Sequence, residues 1–426
     1  MSRIRIVKGK IFEKVGGDLR YYSEADITEI ASETYTEESA KSISHAGEPG
    51  KPPPAPTLAK CLVKFRPTKA WKGEFGFDWL RIHDSKMAVD VPYSSVIGKY
   101  GKTYATQKGA VFTPSTTDYN RCLSGYSSFS TFKNRYSVPY LSLMKDQTAI
   151  LDAITEVDEI PEKLRYDYDT TIFELTILKK LTKSKGINYD ESALQIKCLK
   201  NFGDYKSITI ISTKDKRSEK VGEIKMVPNA ENTEANVLFI PVEYRLKKGN
   251  VKNNMELDYV NNILRQALIK ANTERYPSVF RTGGWFSDLF FTTKDKSGNT
   301  VMDMSSMRSI HRYVDDDFMS IKENKKYSSY YRVYCLPDSL NLNGVAEDVG
   351  HGVKTVVVFQ NRDNFTTVVH ELLHAVGLYH TFDNDSTFTF KLYNTDNVMD
   401  YTHQVGKDRF TTNKFQWDIL NKNINK

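Results

Sequence analysis

Cysteine is scarce in this chain, four residues in 426. Cys61, Cys122, Cys198 and Cys335 lie far apart and lack metal-pair spacing, which argues against a disulfide framework and against a closed cysteine-zinc site. Long apolar runs are missing too, so no membrane span is expected. Blocks of one charge are likewise absent. The net charge of +7 arises from Lys and Arg interleaved with Asp and Glu, the pattern of a solvated surface, and no nucleic-acid partner is expected. The stretch from Met1 to Lys10 alternates basic and apolar residues, without the apolar core or small-residue cleavage site of a secretory signal. Histidine is also rare, eight in all, yet three of the eight fall in one short stretch.

That stretch runs from Val368 to Phe382 and contains His370, Glu371, His374, Gly377 and His380 in the pattern H-E-x-x-H-x-x-G-x-x-H. His370 and His374 are four residues apart, so on a helix they project from one face and can grip one ion. Glu371 is one position round from His370, off that face, where it can hold a water instead. Gly377 stands where the helix must stop if His380 is to swing back toward the same ion, and glycine tolerates the left-handed conformation such a stop needs. Three imidazoles with one open position form the ligand set of a catalytic zinc, whereas structural zinc is closed by four protein ligands. At this chain's residue frequencies the five fixed positions coincide by chance on the order of 10⁻⁵ times per chain, which makes the motif specific.

The stretch resembles the metzincin metallopeptidases, and the run from Gly377 to Phe382 resembles their pappalysin and cytophagalysin branch. Downstream, the run from Asn397 to Thr402 has the form of that family's Met-turn. Cysteines that the family often carries near that turn are missing here. The resemblance implies zinc held by His370, His374 and His380, with Glu371 as general base for peptide hydrolysis. It also implies that Met399 forms the apolar floor under the metal, and that Tyr401 lies beside the metal as a ligand or as a donor to the reacting oxygen. A protein or peptide substrate follows. In metzincins an edge strand before the active-site helix binds substrate by strand addition; the candidate here is 343–348, which also reads as a surface loop.

Taken in order, residues 1–57 form an N-terminal segment, with a turn at Gly16-Gly17 and a stiff linker carrying Pro49, Pro52, Pro53, Pro54 and Pro56. Residues 58–148 read as a β-rich module and 149–235 as a second, sandwich-like one, with strands at 61–66, 74–82, 166–178 and 207–212. Residues 236–426 read as the metzincin-like peptidase domain: a strand at 237–245, a helix from Asn254 to Asn272, strands at 330–336 and 354–359, then the zinc helix, capped by Asp363 or Asn364. The expected fold class is α+β, a mixed sheet with an active-site helix preceded by sandwich-like modules.

Two acidic runs, Asp383-Asn384-Asp385 and Asp315-Asp316-Asp317, offer oxygen ligands for calcium and read equally as solvated turns. His45, His83, His311 and His351 have no ligand spacing. The upstream modules resemble the delivery regions of bacterial effector toxins, which would place the protein outside the cell without a cleaved signal, with secretion machinery or a carrier protein as a partner; the other placement is cytoplasmic. The rival function is a β-modular binding or adhesion protein whose peptidase domain is vestigial or latent, Cys61 and Cys122 being the upstream cysteines available to block a metal.

Overall fold

The computed structural model describes Glu38 and residues 60–424, apart from the short stretches 103–104, 215–216, 232, 245–246, 250–253, 283–291, 295–297, 299, 303–306, 337–343, 347–348, 350–353 and 360–365. The expected N-terminal turn and proline linker, the helix cap at Asp363 or Asn364, and His45 and His351 lie outside these residues. Residues 58–426 form one unit. It is a strand-rich α+β structure with several sheets. None of its described helices is long and apolar enough to cross a membrane.

Two antiparallel-dominated sheets make the upstream half. The first has the strand order Cys61–Pro67, Thr148–Val157, Gly186–Cys198, Phe173–Ile177. The second runs Gly76–Asp78, Tyr140–Ser142, Arg217–Met226, Lys206–Lys214, Lys163–Asp167. Alternating strands turn Val63, Phe65, Leu151 and Ile196 of the first sheet and Phe77, Ile208, Ile210 and Ile224 of the second into one core. The sheets approach so closely that a Cβ on Gly222 would lie 2.5 Å from the Val63 carbonyl oxygen. Residues 58–148 and 149–235 both supply strands to each sheet, so one sandwich draws on both stretches.

The downstream half is a seven-stranded mixed sheet. Thr233–Tyr244 pairs in parallel with Ile269–Arg275, Phe280–Arg281 and Tyr331–Leu336, which pairs in parallel with Thr355–Phe359. Gly344–Ala346 closes the sheet as an antiparallel edge strand. Period-two alternation sends Val237 and Phe239 to one face, against helices Asn254–Gln266 and Thr366–Val376. Leu238, Ile240 and Val242 go to the other, against helix Met307–Ser320.

Several boundaries differ from the sequence reading. The helix expected to reach Asn272 ends at Gln266, Leu268 takes a left-handed φ of 59°, and Ile269–Arg275 is a strand. The Gln266 side chain explains the stop, since its amide bonds the Gly73 and Phe410 carbonyls and accepts from Thr412. The strand expected over 74–82 is confined to Gly76–Asp78, and that expected over 166–178 is split in two around a turn at Asp169. Helix Thr116–Ser124, capped by Ser115, was not anticipated in the upstream half.

The two halves interlock through buried polar contacts. Arg81 stacks 3.5 Å from the Trp79 ring centroid and pairs with Asp396 at 3.0 Å, both partners 6% exposed. The Asp78 carboxylate accepts from the Lys414 amide at the start of helix Lys414–Asn423, and strand Ile97–Tyr100 pairs with Thr389–Phe390. Removing one member of a buried ion pair strands the other charge. Arg81→Met is therefore expected to lower unfolding stability by ~3–5 kcal/mol in urea denaturation, and a loss below about 1 kcal/mol would show that Asp396 does not depend on this partner.

Candidate metal centre

The helix Thr366–Val376 is buried along most of its length because it is apolar nearly all round. His370 and His374, 4% and 7% exposed, share its inner face. The helix stops at Gly377, whose φ is 111°. The Gly377 amide bonds the His374 carbonyl and the Leu378 amide reaches back to Leu373, a left-handed cap that satisfies the last carbonyls. The reversal carries His380 back over the helix face.

Each imidazole is aimed by a separate acceptor at its Nδ1. His370 faces the Val398 carbonyl at 2.8 Å, His374 the Leu378 carbonyl at 2.7 Å, and His380 the Asp383 carboxylate at 2.9 Å. These acceptors assign the proton to Nδ1 in all three rings. The Nε2 lone pairs then face one another: His374 Nε2 lies 3.2 Å from that of His370 and 3.1 Å from that of His380. Facing lone pairs repel unless they share a cation, so the donor set fits a divalent metal such as zinc. Among the described residues these three form the group of histidine, cysteine and acidic side chains close enough to share one ion, their ligand atoms within 4.8 Å of one another.

Glu371 is half-buried, against the edge strand Gly344–Ala346. A Cβ on Gly344 would stand 2.8 Å from the Glu371 Cγ, so the strand runs this close only because that residue is glycine. Burial pushes the Glu371 carboxyl up to about 7, opposed by the Ala346 amide and the Arg409 charge. Burial and the neighbouring imidazoles hold His370 well below its ordinary value, and burial followed by His380 takes His374 down to about 3.

Tyr401 places its hydroxyl 3.0 Å from His380 Nε2, and Phe382 stacks on the His380 ring at 4.7 Å. Burial, then the Glu371 charge, keeps the Tyr401 phenol protonated by raising its pKa. Met399 is fully buried in the turn whose preceding carbonyl, that of Val398, receives His370. The turn is held by polar side chains. Asn397 accepts from the Met399 amide, and Asp400 accepts from the amides of Tyr393, Thr395 and Tyr401 and from the Thr395 hydroxyl.

Arg409 was not singled out by the sequence, and no spacing signal marks it. Buried at 3% exposure, it donates to the Val398 and Asp400 carbonyls and to Thr366 at the start of helix Thr366–Val376. It thereby ties the turn to the helix. In the acidic runs, Asp383 faces His380, and Asp315 receives Arg332 and the Tyr334 hydroxyl. Cys61 and Cys122 are buried in apolar clusters, each thiol pushed up to about 12 by burial. His83 contacts the Asp90 carbonyl on an upstream loop, and His311 is buried on helix Met307–Ser320.

The depressed imidazoles set a pH dependence for the metal-free protein. Unfolding lets His370, His374 and His403, the last held down to about 4 by burial, take up protons below their ordinary 6.5. Their contribution to stability is present above that value and is lost as pH falls. Glu371, with its pKa raised from 4.5 to about 7, works in the opposite sense. Each group contributes about 1.4 kcal/mol per pH unit, and three imidazoles outweigh one carboxyl. The denaturation midpoint of chelator-treated protein is expected to be lower at about pH 5.5 than at about pH 7.5; an unchanged midpoint would mean that these rings are protonated in the fold.

No protein family model matches the chain, and no curated protein matches it. Among solved structures, a chain described as "Structure of a chaperone-substrate complex" is similar at 10% identity and a TM-score of 0.26, covering 55% of this chain, which spans 39% of that one.

Proposed function

We propose that this protein is a zinc-dependent endopeptidase of metzincin type. The observation that carries the reading is the convergence of three Nε2 atoms, each ring fixed from behind through Nδ1, beside a carboxyl whose pKa stands at about 7. The mixed sheet with an antiparallel edge strand, backed by the motif helix, supports a metzincin-like catalytic domain.

Bound by His370, His374 and His380, zinc supplies a Lewis acid that polarises a peptide carbonyl and makes water more acidic. The chain's own groups do the rest. Among the described strands Gly344–Ala346 pairs on one side only, and an extended peptide would add on the other as a further strand. Glu371 takes the proton of the attacking water on a carboxylate oxygen and passes it to the departing amine nitrogen; a pKa near neutrality suits both transfers. The Tyr401 hydroxyl, protonated at neutral pH, donates to the carbonyl oxygen as that oxygen becomes negative. Met399 floors the site and Arg409 keeps the turn against the helix.

Metal analysis joined to cleavage of an unfolded protein tests this reading. Wild type and Glu371→Ala are each expected to hold one zinc, with cleavage reduced about 10²–10⁴-fold in the variant. Tyr401→Phe should keep zinc and lose roughly 10²-fold in kcat with KM little changed. Absence of zinc from wild type would overturn the proposal, and full activity in Glu371→Ala would overturn the role of the base.

A further inference from the structure

The three rings of the triad are not braced alike. His370 and His374 grow from one rigid helix, and backbone carbonyls receive their Nδ1 protons. His380 comes from the loop beyond Gly377, and its Nδ1 meets a side chain, the Asp383 carboxylate, three residues on. Asp383 is 3% exposed, and its other oxygen, Oδ1, is buried with no hydrogen-bond partner among the described residues. A buried carboxylate with one unmatched oxygen is costly unless its charge serves a neighbour. Here the neighbour is the ring that the helix does not hold.

The loop carrying this carboxylate is fixed from the upstream half. Asn384 accepts from the Tyr100 amide at 3.0 Å and donates to the Tyr100 and Lys102 carbonyls at 2.8 and 3.0 Å. Lys99 reaches the Asn384 carbonyl, and the Thr389 hydroxyl bonds the Asp383 carbonyl at 3.0 Å. Strand Ile97–Tyr100 pairs with Thr389–Phe390, closing the loop on its far side. Asn384 thus acts as an extra backbone rung between the two halves, immediately next to Asp383.

We propose that Asp383 is a positioning residue for the metal centre, fixing the tautomer and plane of His380, and that the grip of Ile97–Tyr100 on Asn384 keeps that carboxylate in place. This rests on the zinc-site reading above. A carboxylate behind an imidazole strengthens the ligand, and its removal typically weakens metal affinity by about 10–100-fold. Asn at this position keeps an acceptor and drops the charge, so it should fall between wild type and alanine.

The test is zinc affinity of the full chain, measured by competition with a chromophoric chelator, together with the visible spectrum of the cobalt(II)-substituted protein. Asp383→Ala is expected to bind zinc about 10–100-fold more weakly, with a shifted cobalt spectrum. Asp383→Asn should lose less, and Asn384→Ala should weaken zinc in the same direction. The exposed neighbour Asp385 supplies the control, since Asp385→Ala removes the same charge without touching His380 and should bind as wild type does. Thermal melts of the metal-free variants separate misfolding from loss of positioning. Wild-type affinity and spectrum in folded Asp383→Ala, or an equal loss in Asp385→Ala, would overturn the proposal. Undiminished zinc binding in His380→Ala would instead overturn the zinc-site reading.

Discussion

Three lone pairs gathered at one point, those of His370 and His380 lying 3.2 and 3.1 Å from that of His374, are a constraint that the surrounding chain must answer. A helix alone answers it for two rings, because residues four apart share a face. The third ring has to arrive from elsewhere, and a left-handed glycine, a cap and a loop bring it. Every ring also needs a partner behind it, or it would rotate away from the common point. Those partners come from three places: the end of the helix, the loop beyond it and the turn containing Met399.

The turn shows how an irregular segment is held without a ladder of its own. Asn397 and Asp400 replace backbone partners, and Arg409 joins two carbonyls of the turn to Thr366. Beneath this network lie further contacts to the upstream half, where Asn397 meets Asn413 and Asn413 meets Tyr93. Polar groups at this depth specify one arrangement, since a half-satisfied network is worse than none. The sandwich therefore belongs to the architecture of the site, although no ligand atom comes from it.

The sequence made the triad legible because its spacing is local. Helical period places His370 and His374, and the chemistry of a left-handed stop calls for Gly377. Short continuous apolar runs likewise made Thr233–Tyr244 and Thr355–Phe359 readable to within a few residues. What escaped was set by distant contacts. Ile269–Arg275 carries apolar residues that suit either period, and only the pairing with Thr233–Tyr244 and the anchoring of Gln266 decide for a strand. Asp383 looked like a member of an acidic turn because nothing local reveals which neighbour a carboxylate will face. Arg409 is silent for the same reason, being defined by Thr366, Val398 and Asp400 rather than by its own surroundings in the chain.

The rung between Tyr100 and Asn384 joins positions 284 residues apart. Closing so long a loop delivers its reward only after much of the intervening chain has found its place, so contacts of this kind form late and slowly. During synthesis, strand Ile97–Tyr100 emerges well before the loop it grips and stays unsatisfied on that edge until the loop arrives. The carboxylate behind the third ring of the triad is thus brought into place late in folding.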